Sequence, residues 1–191
     1  AGGSGAAIIN TIDYVTIASE GNSSDFGDMT TTRSQLAGFA STTRGVMGGG
    51  IEGSGYQPIN IIDYVTIATT GNATDFGDLT EARYGNGGVG SSTRGVFGGG
   101  HSGAASNTMD YITIASTGNA SDFGDLTVAR HYFNGASTNT RGIFGGGLGG
   151  PTSDVMDYIT IASTGNAQDF GDLSTTKYGL NASCNDSGGV Q

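Results

Sequence analysis

The stretch that decides the fold is Thr-Met-Asp-Tyr-Ile-Thr-Ile-Ala at 108–115, with Asp-Phe-Gly-Asp following at 122–125. It is dense in β-branched and aromatic residues and bounded by turn formers, so it reads as a strand. Met109, Tyr111, Thr113 and Ala115 share one face, and Asp110, Ile112 and Ile114 share the other. Neither face is purely polar. A strand with one solvated face alternates cleanly, whereas a strand packed on both sides does not. The pattern predicts a sheet covered on both faces.

The same wording recurs along the chain, and the repeat sets the architecture. Asp-Tyr stands at Asp13-Tyr14, Asp63-Tyr64, Asp110-Tyr111 and Asp157-Tyr158, at intervals of 50, 47 and 47 residues. Val/Ile-Thr-Ile-Ala, Gly-Asn and Asp-Phe-Gly-Asp follow each time. A basic residue comes five positions later: Arg33, Arg83, Arg130 and Lys177. Arg-Gly-Val/Ile-Met/Phe-Gly-Gly-Gly then occupies 44–50, 94–100 and 141–147, so all 7 basic residues fall in two repeat slots. Gly188 replaces the second arginine in the fourth copy.

Ala1-Gly2-Gly3 aligns without gaps on 98–100 and 145–147, and Gly189-Val190-Gln191 on 142–144, which divides the chain into four units, 1–47, 48–97, 98–144 and 145–191, within a single repeat domain. The cut falls inside one strand, with its first half at the C-terminus and its second half at the N-terminus. A closed ring would join those halves, and a four-repeat part of a larger array would carry the same phase. Within a unit, 94–100 reads as a strand ending in a glycine turn, 84–92 as the innermost strand and 122–126 as a short outer strand or turn. No segment has sustained helical periodicity.

Composition excludes several functions. The 191 residues include 37 Gly and carry a net charge of −10, from 17 acidic and 7 basic side chains. A nucleic-acid partner requires a basic stripe against its phosphates, and an anionic membrane surface requires basic clusters. No apolar run is long enough to span a bilayer as a helix. The single cysteine, Cys184, has no partner for an internal disulfide, and no zinc-ligand spacing occurs.

The order of these residues resembles kelch repeats. An apolar strand ending in paired glycines (Val96-Phe97-Gly98-Gly99) is followed by a tyrosine strand (Tyr111), a later aromatic (Phe123) and a basic residue (Arg130). The resemblance implies an all-β, kelch-like β-propeller of four blades of about 47 residues, or a four-repeat part of a larger one. Phe26, Phe76, Phe123 and Phe170 stand where kelch blades carry tryptophan. The repeated wording is also similar to repeats in structural proteins of tailed phages, especially those of marine cyanophages. That likeness implies a virion-associated tail, fibre or decoration protein.

Few residues point to chemistry. Asp25, Asp28, Asp75, Asp78, Asp122, Asp125, Asp169 and Asp172, with the preceding asparagines, offer oxygen ligands of the kind calcium takes. Their recurrence beside a basic residue in every unit favours a scaffold role instead, as turn caps and partners of Arg33, Arg83, Arg130 and Lys177. Fourfold repetition also argues against catalysis, which needs one unique site, and no catalytic residues are assigned. The glycine runs lack the Lys-Ser/Thr and the helix of a phosphate loop.

The unit-specific stretches, 51–58, 101–106, 131–134 and 148–153, are the better candidates for binding. Tyr56, His101, His131, Tyr132 and Phe133 supply contact groups there. The expectation is a non-enzymatic structural or adhesion module of a virion. It would assemble with other structural proteins or with itself, without cofactor, nucleic acid or membrane insertion. The alternative is a secreted or cell-surface propeller that binds a surface glycan.

Overall fold

The computed structural model describes residues 1–4, 7–53, 55 and 57–182, and they contain strands and turns with no helix. The chain opens with a short ladder of β1 (Gly3–Ser4) and β2 (Ile8–Ile9), then a hairpin of β3 (Thr11–Tyr14) and β4 (Ser24–Asp28). The first four-stranded sheet uses β5 (Ala37–Ala40) and β6 (Arg44–Gly48). A two-strand ladder of β7 (Ile51–Glu52) and β8 (Gln57–Pro58) then intervenes, and β9 (Ile61–Thr66) and β10 (Thr74–Asp78) complete the sheet. The second contains β11 (Gly87–Gly90), β12 (Arg94–His101), β13 (Ala105–Thr113) and β14 (Ser121–Asp125). The third contains β15 (Asn134–Ser137), β16 (Arg141–Gly145), β17 (Val155–Thr160) and β18 (Gln168–Asp172).

The architecture is therefore all-β, with each four-stranded sheet an antiparallel meander in chain order. The unit boundaries after 47, 97 and 144 fall inside β6, β12 and β16, the second strand of each sheet. The strand half expected at 189–191 lies outside the described residues, as do Tyr56 and Cys184.

Two-sided packing is visible in the second sheet. Phe97, Ile112 and Ile114 join Val46, Ile62 and Phe76 of the first sheet in one cluster. Val89, Val96 and Met109 pack instead with Phe144, Ile159 and Ile161 of the third sheet. A third, smaller cluster joins Ile12 and Met29 of the opening hairpin to Met47 of the first sheet. The core thus lies between sheets. Each fully buried Phe or Ile in it contributes roughly 1.5–3 kcal/mol.

The Asp-Phe-Gly-Asp motif forms a bulged edge strand in the opening hairpin and in each of the three four-stranded sheets. The register shifts between Asp75 and Gly77, so Phe76 has no opposite residue, and the same shift recurs in the other three units. A bulge re-aims a side chain. Here it buries Phe76 and Phe123 and sets each edge-to-face on the tyrosine of its neighbour strand, Tyr64 and Tyr111. Gly77, at φ +142°, then passes so close to the next unit that a Cβ would sit 2.5 Å from the Gly118 carbonyl. Glycine is required at that position.

Candidate functional site

Three buried ion pairs join consecutive units. Arg33 Nη2 bonds Asp63 at 2.9 Å, Arg83 Nη2 bonds Asp110 at 2.8 Å and Arg130 Nη2 bonds Asp157 at 2.9 Å, all with both side chains fully buried. Each guanidinium also donates to two backbone carbonyls of the next sheet: Ile61 and Met47, Thr108 and Phe97, Val155 and Phe144. Each carboxylate accepts in turn from the hydroxyl of Thr30, Thr80 or Thr127. Burial lowers the Arg33 and Arg130 pKa values, and the facing aspartate opposes that shift.

The partner is therefore the aspartate of the next unit's Asp-Tyr pair, not an aspartate of Asp-Phe-Gly-Asp. The reason is geometric: the arginine enters between two sheets, whereas the Asp-Phe-Gly-Asp carboxylates lie on the outer edge. Asp25, Asp75 and Asp169 there accept from the N–H of Gly27, Gly77 and Gly171, closing local turns. The asparagines proposed to share a cation with them are engaged elsewhere. Asn72, Asn119 and Asn166 accept from the N–H of Asp28, Asp78 and Asp125 in the preceding unit. Among the described residues no group of three or more His, Cys, Asp or Glu is arranged to hold a metal ion.

The second arginine slot is also structural. Arg44, Arg94 and Arg141 lie 4.3, 4.5 and 4.6 Å over the rings of Tyr64, Tyr111 and Tyr158. Arg44 and Arg94 reach on to the carbonyls of Ile114 and Ala162 in the following sheet. Cation–π contact and charge-assisted bonds both reinforce the joint.

The first strands of the sheets surround a cavity of ≈ 580 Å³, lined by segments of all four units within 35–42, 85–92, 132–137 and 179–182. No charged side chain lines it. At one mouth the equivalent residues Gln35, Gly85, Tyr132 and Gly179 all adopt left-handed backbone, at φ of 58°, 63°, 55° and 67°. Backbone bonds link them in sequence: Gly85 N–H to Gln35, Tyr132 N–H to Gly85, and Gly179 N–H to Tyr132. The Tyr132 hydroxyl donates to Gln35 Oε1 at 2.9 Å, bridging the first and third units.

The unit-specific side chains converge at this mouth. The His101 and His131 rings lie 4.8 Å apart, His131 lies 4.6 Å from Tyr132, and Tyr84 lies 5.2 Å from His101. All four residues are half-buried. His101 Nδ1 accepts from the Gly103 N–H, which leaves Nε2 as its protonated nitrogen when neutral. His131 Nδ1 is buried without a partner among the described residues. Burial and the neighbouring His101 lower the His131 pKa, against an opposing backbone bond at Leu148. Burial and Tyr84 raise the Tyr132 pKa, with the Gln35 bond opposing.

The structure thus brings together His101, His131 and Tyr132 of the predicted binding residues. Phe133 is largely buried, packed edge-to-face on Phe144, and contributes to the cavity wall rather than to the cluster of rings at the mouth. Its slot is held by Leu36 and Leu180 in two other units, a partial signal of burial in the sequence that Asn86 in the second unit interrupts. Tyr84 and Gln35 are additional mouth residues: Tyr84 falls in 84–92, which reads as an inner strand, and both lie outside the four unit-specific stretches. No family model matches the chain, and no curated protein matches it.

Proposed function

We propose that this chain is a non-enzymatic structural or adhesion module, built as a kelch-like ring of four blades and associated with a virion. It serves as part of a tail, a fibre or a capsid decoration, through contacts with other structural proteins, with copies of itself, or with a host surface. The observation that carries this reading is a division of labour among residues. The repeated Asp, Arg, Phe and Gly positions are occupied in joints between sheets, while unit-specific side chains gather at one mouth. That division is expected of a scaffold that presents a contact surface. The ring is supported by a cavity lined from all four units. Mass spectrometry of purified particles tests the reading: the chain should be present in stoichiometric amounts, and its absence would sink the idea.

A second reading, a secreted or cell-surface glycan-binding propeller, is favoured by the mouth itself. Half-buried Tyr84 and Tyr132 beside an uncharged cavity suit a neutral sugar, which stacks its apolar face on aromatic rings and exchanges hydrogen bonds with neutral groups. A glycan array run with and without calcium tests it. Binding of neutral glycans that Tyr132→Gly weakens at least tenfold supports this reading. Glycine is the residue two other units use at this left-handed position, so the variant keeps the fold. An array blank for neutral glycans rejects it.

A further inference from the structure

The three internal joints are copies of one another, and the two end units carry the separate halves of a fourth. In every internal joint a threonine and an arginine from one unit hold the Asp-Tyr aspartate of the next: Thr30 and Arg33 on Asp63, Thr80 and Arg83 on Asp110, Thr127 and Arg130 on Asp157. The fourth unit has Ser174 and Lys177 in those slots, and the first unit has Asp13. All three are exposed, and neither Asp13 nor the Lys177 ammonium has a side-chain partner among the described residues.

The surroundings of both halves repeat this asymmetry. Of the four equivalent isoleucines, Ile114 and Ile161 are 2% and 1% exposed, Ile67 is 45% exposed and Ile17 is 97% exposed. Phe76 and Phe123 are each 2% exposed, and Phe170 is 45% exposed. Gly77 and Gly124 lie under the Gly-Asn turn of the following unit, but a Cβ at Gly171 would meet nothing within 4 Å. Arg44 and Arg94 reach a carbonyl of the next sheet, while Arg141 has no such acceptor among the described residues. Each exposed group on the fourth unit is thus matched by the first unit's version of the group that covers its counterparts. Both end units also line the same central cavity, which places the two halves around one axis.

We propose that Ser174 and Lys177 seat Asp13 of the same chain, making the fourth joint and the seam of the ring. This rests on the ring architecture proposed above and assigns the residues that close it. The seam differs from its three copies in one respect. Arginine presents a planar fork that bonds a carboxylate and two carbonyls together, whereas lysine brings a compact ammonium without that fork. The seam is therefore the joint with the weakest clamp, and the repeat's own residue should strengthen it.

The experiment is a double-mutant cycle on the full chain, read by thermal melting with the molar mass followed by light scattering. Lys177→Arg should raise Tm by about 2–4 °C, the shift expected of one further good interaction in a chain of this size. Asp13→Asn should lower Tm, and in the Asp13→Asn background Lys177→Arg should gain nothing. The protein should stay monomeric throughout. No gain from Lys177→Arg, or a gain that survives Asp13→Asn, overturns the seam while leaving a ring closed by other contacts. Mass that rises with concentration, and further with Lys177→Arg, overturns it in favour of a second copy on the same face.

Discussion

A buried arginine fork on a buried aspartate is the residue-scale device that holds neighbouring units together. Such pairs contribute little net energy relative to apolar residues, but removing one partner strands the other charge away from water. Asp157→Ala should therefore cost about 3–5 kcal/mol in urea unfolding, because it leaves the buried Arg130 without an acidic partner. Asp75→Ala loses one exposed bond to the Gly77 N–H and should cost no more than about 1 kcal/mol. Equal costs for the two would contradict the assignment of the joint. The mouth histidine gives a second residue-scale prediction. Burial holds the folded-state pKa of His131 below its ordinary value of 6.5, so the unfolded chain takes up that proton first as pH falls. The contribution of neutral His131 is complete above 6.5 and is lost as pH falls from there through the lower folded-state value. His131→Tyr, which installs the residue of the equivalent slot at Tyr84, should flatten the fall in Tm between pH 7 and 5.

At the scale of the element, the bulged edge strand decides how closely units approach. Its phenylalanine fills the space between sheets and its glycine lets the next turn lie flat against the backbone. Gly77→Ala both forces φ +142° on a residue with a Cβ and drives that Cβ into the Gly118 carbonyl. It should cost well over 1 kcal/mol, measured by urea unfolding, whereas Gly→Ala at a site of unstrained backbone would stabilise by up to about 1 kcal/mol. The strands themselves were legible in the sequence. The stretch 84–92 reads as an inner strand and contains β11 at Gly87–Gly90, and 94–100 reads as a strand and lies within β12 at Arg94–His101. Alternation on 108–115 separated Ile112 and Ile114 from Met109, and those residues do face different sheets. The partner of each arginine was not legible. Every unit offers several aspartates, and the true one lies 30 or 27 residues ahead in the next unit, at a distance that only sheet packing determines.

For the whole molecule, four units contribute equivalent segments to one cavity, and three backbone bonds already link the four left-handed residues at its mouth. Repetition made the packing of one sheet on the next readable, because each unit can bury its faces only against a neighbour. The gathering of Tyr84, His101, His131 and Tyr132 was only partly readable. These residues come from two consecutive units, and only the folded axis brings them to one rim. The ring reading makes all four units equivalent in burial, and β3 is where that equivalence is most exposed. Its counterparts β9, β13 and β17 are paired on both sides, whereas β3 is paired only to β4 among the described residues. Hydrogen–deuterium exchange, read by mass spectrometry on peptides covering 11–16, 61–66, 108–113 and 155–160, tests this directly. Closure predicts that 11–16 is protected in the same range as its three equivalents. Exchange of 11–16 at the rate of unstructured chain, with the other three protected, would contradict it.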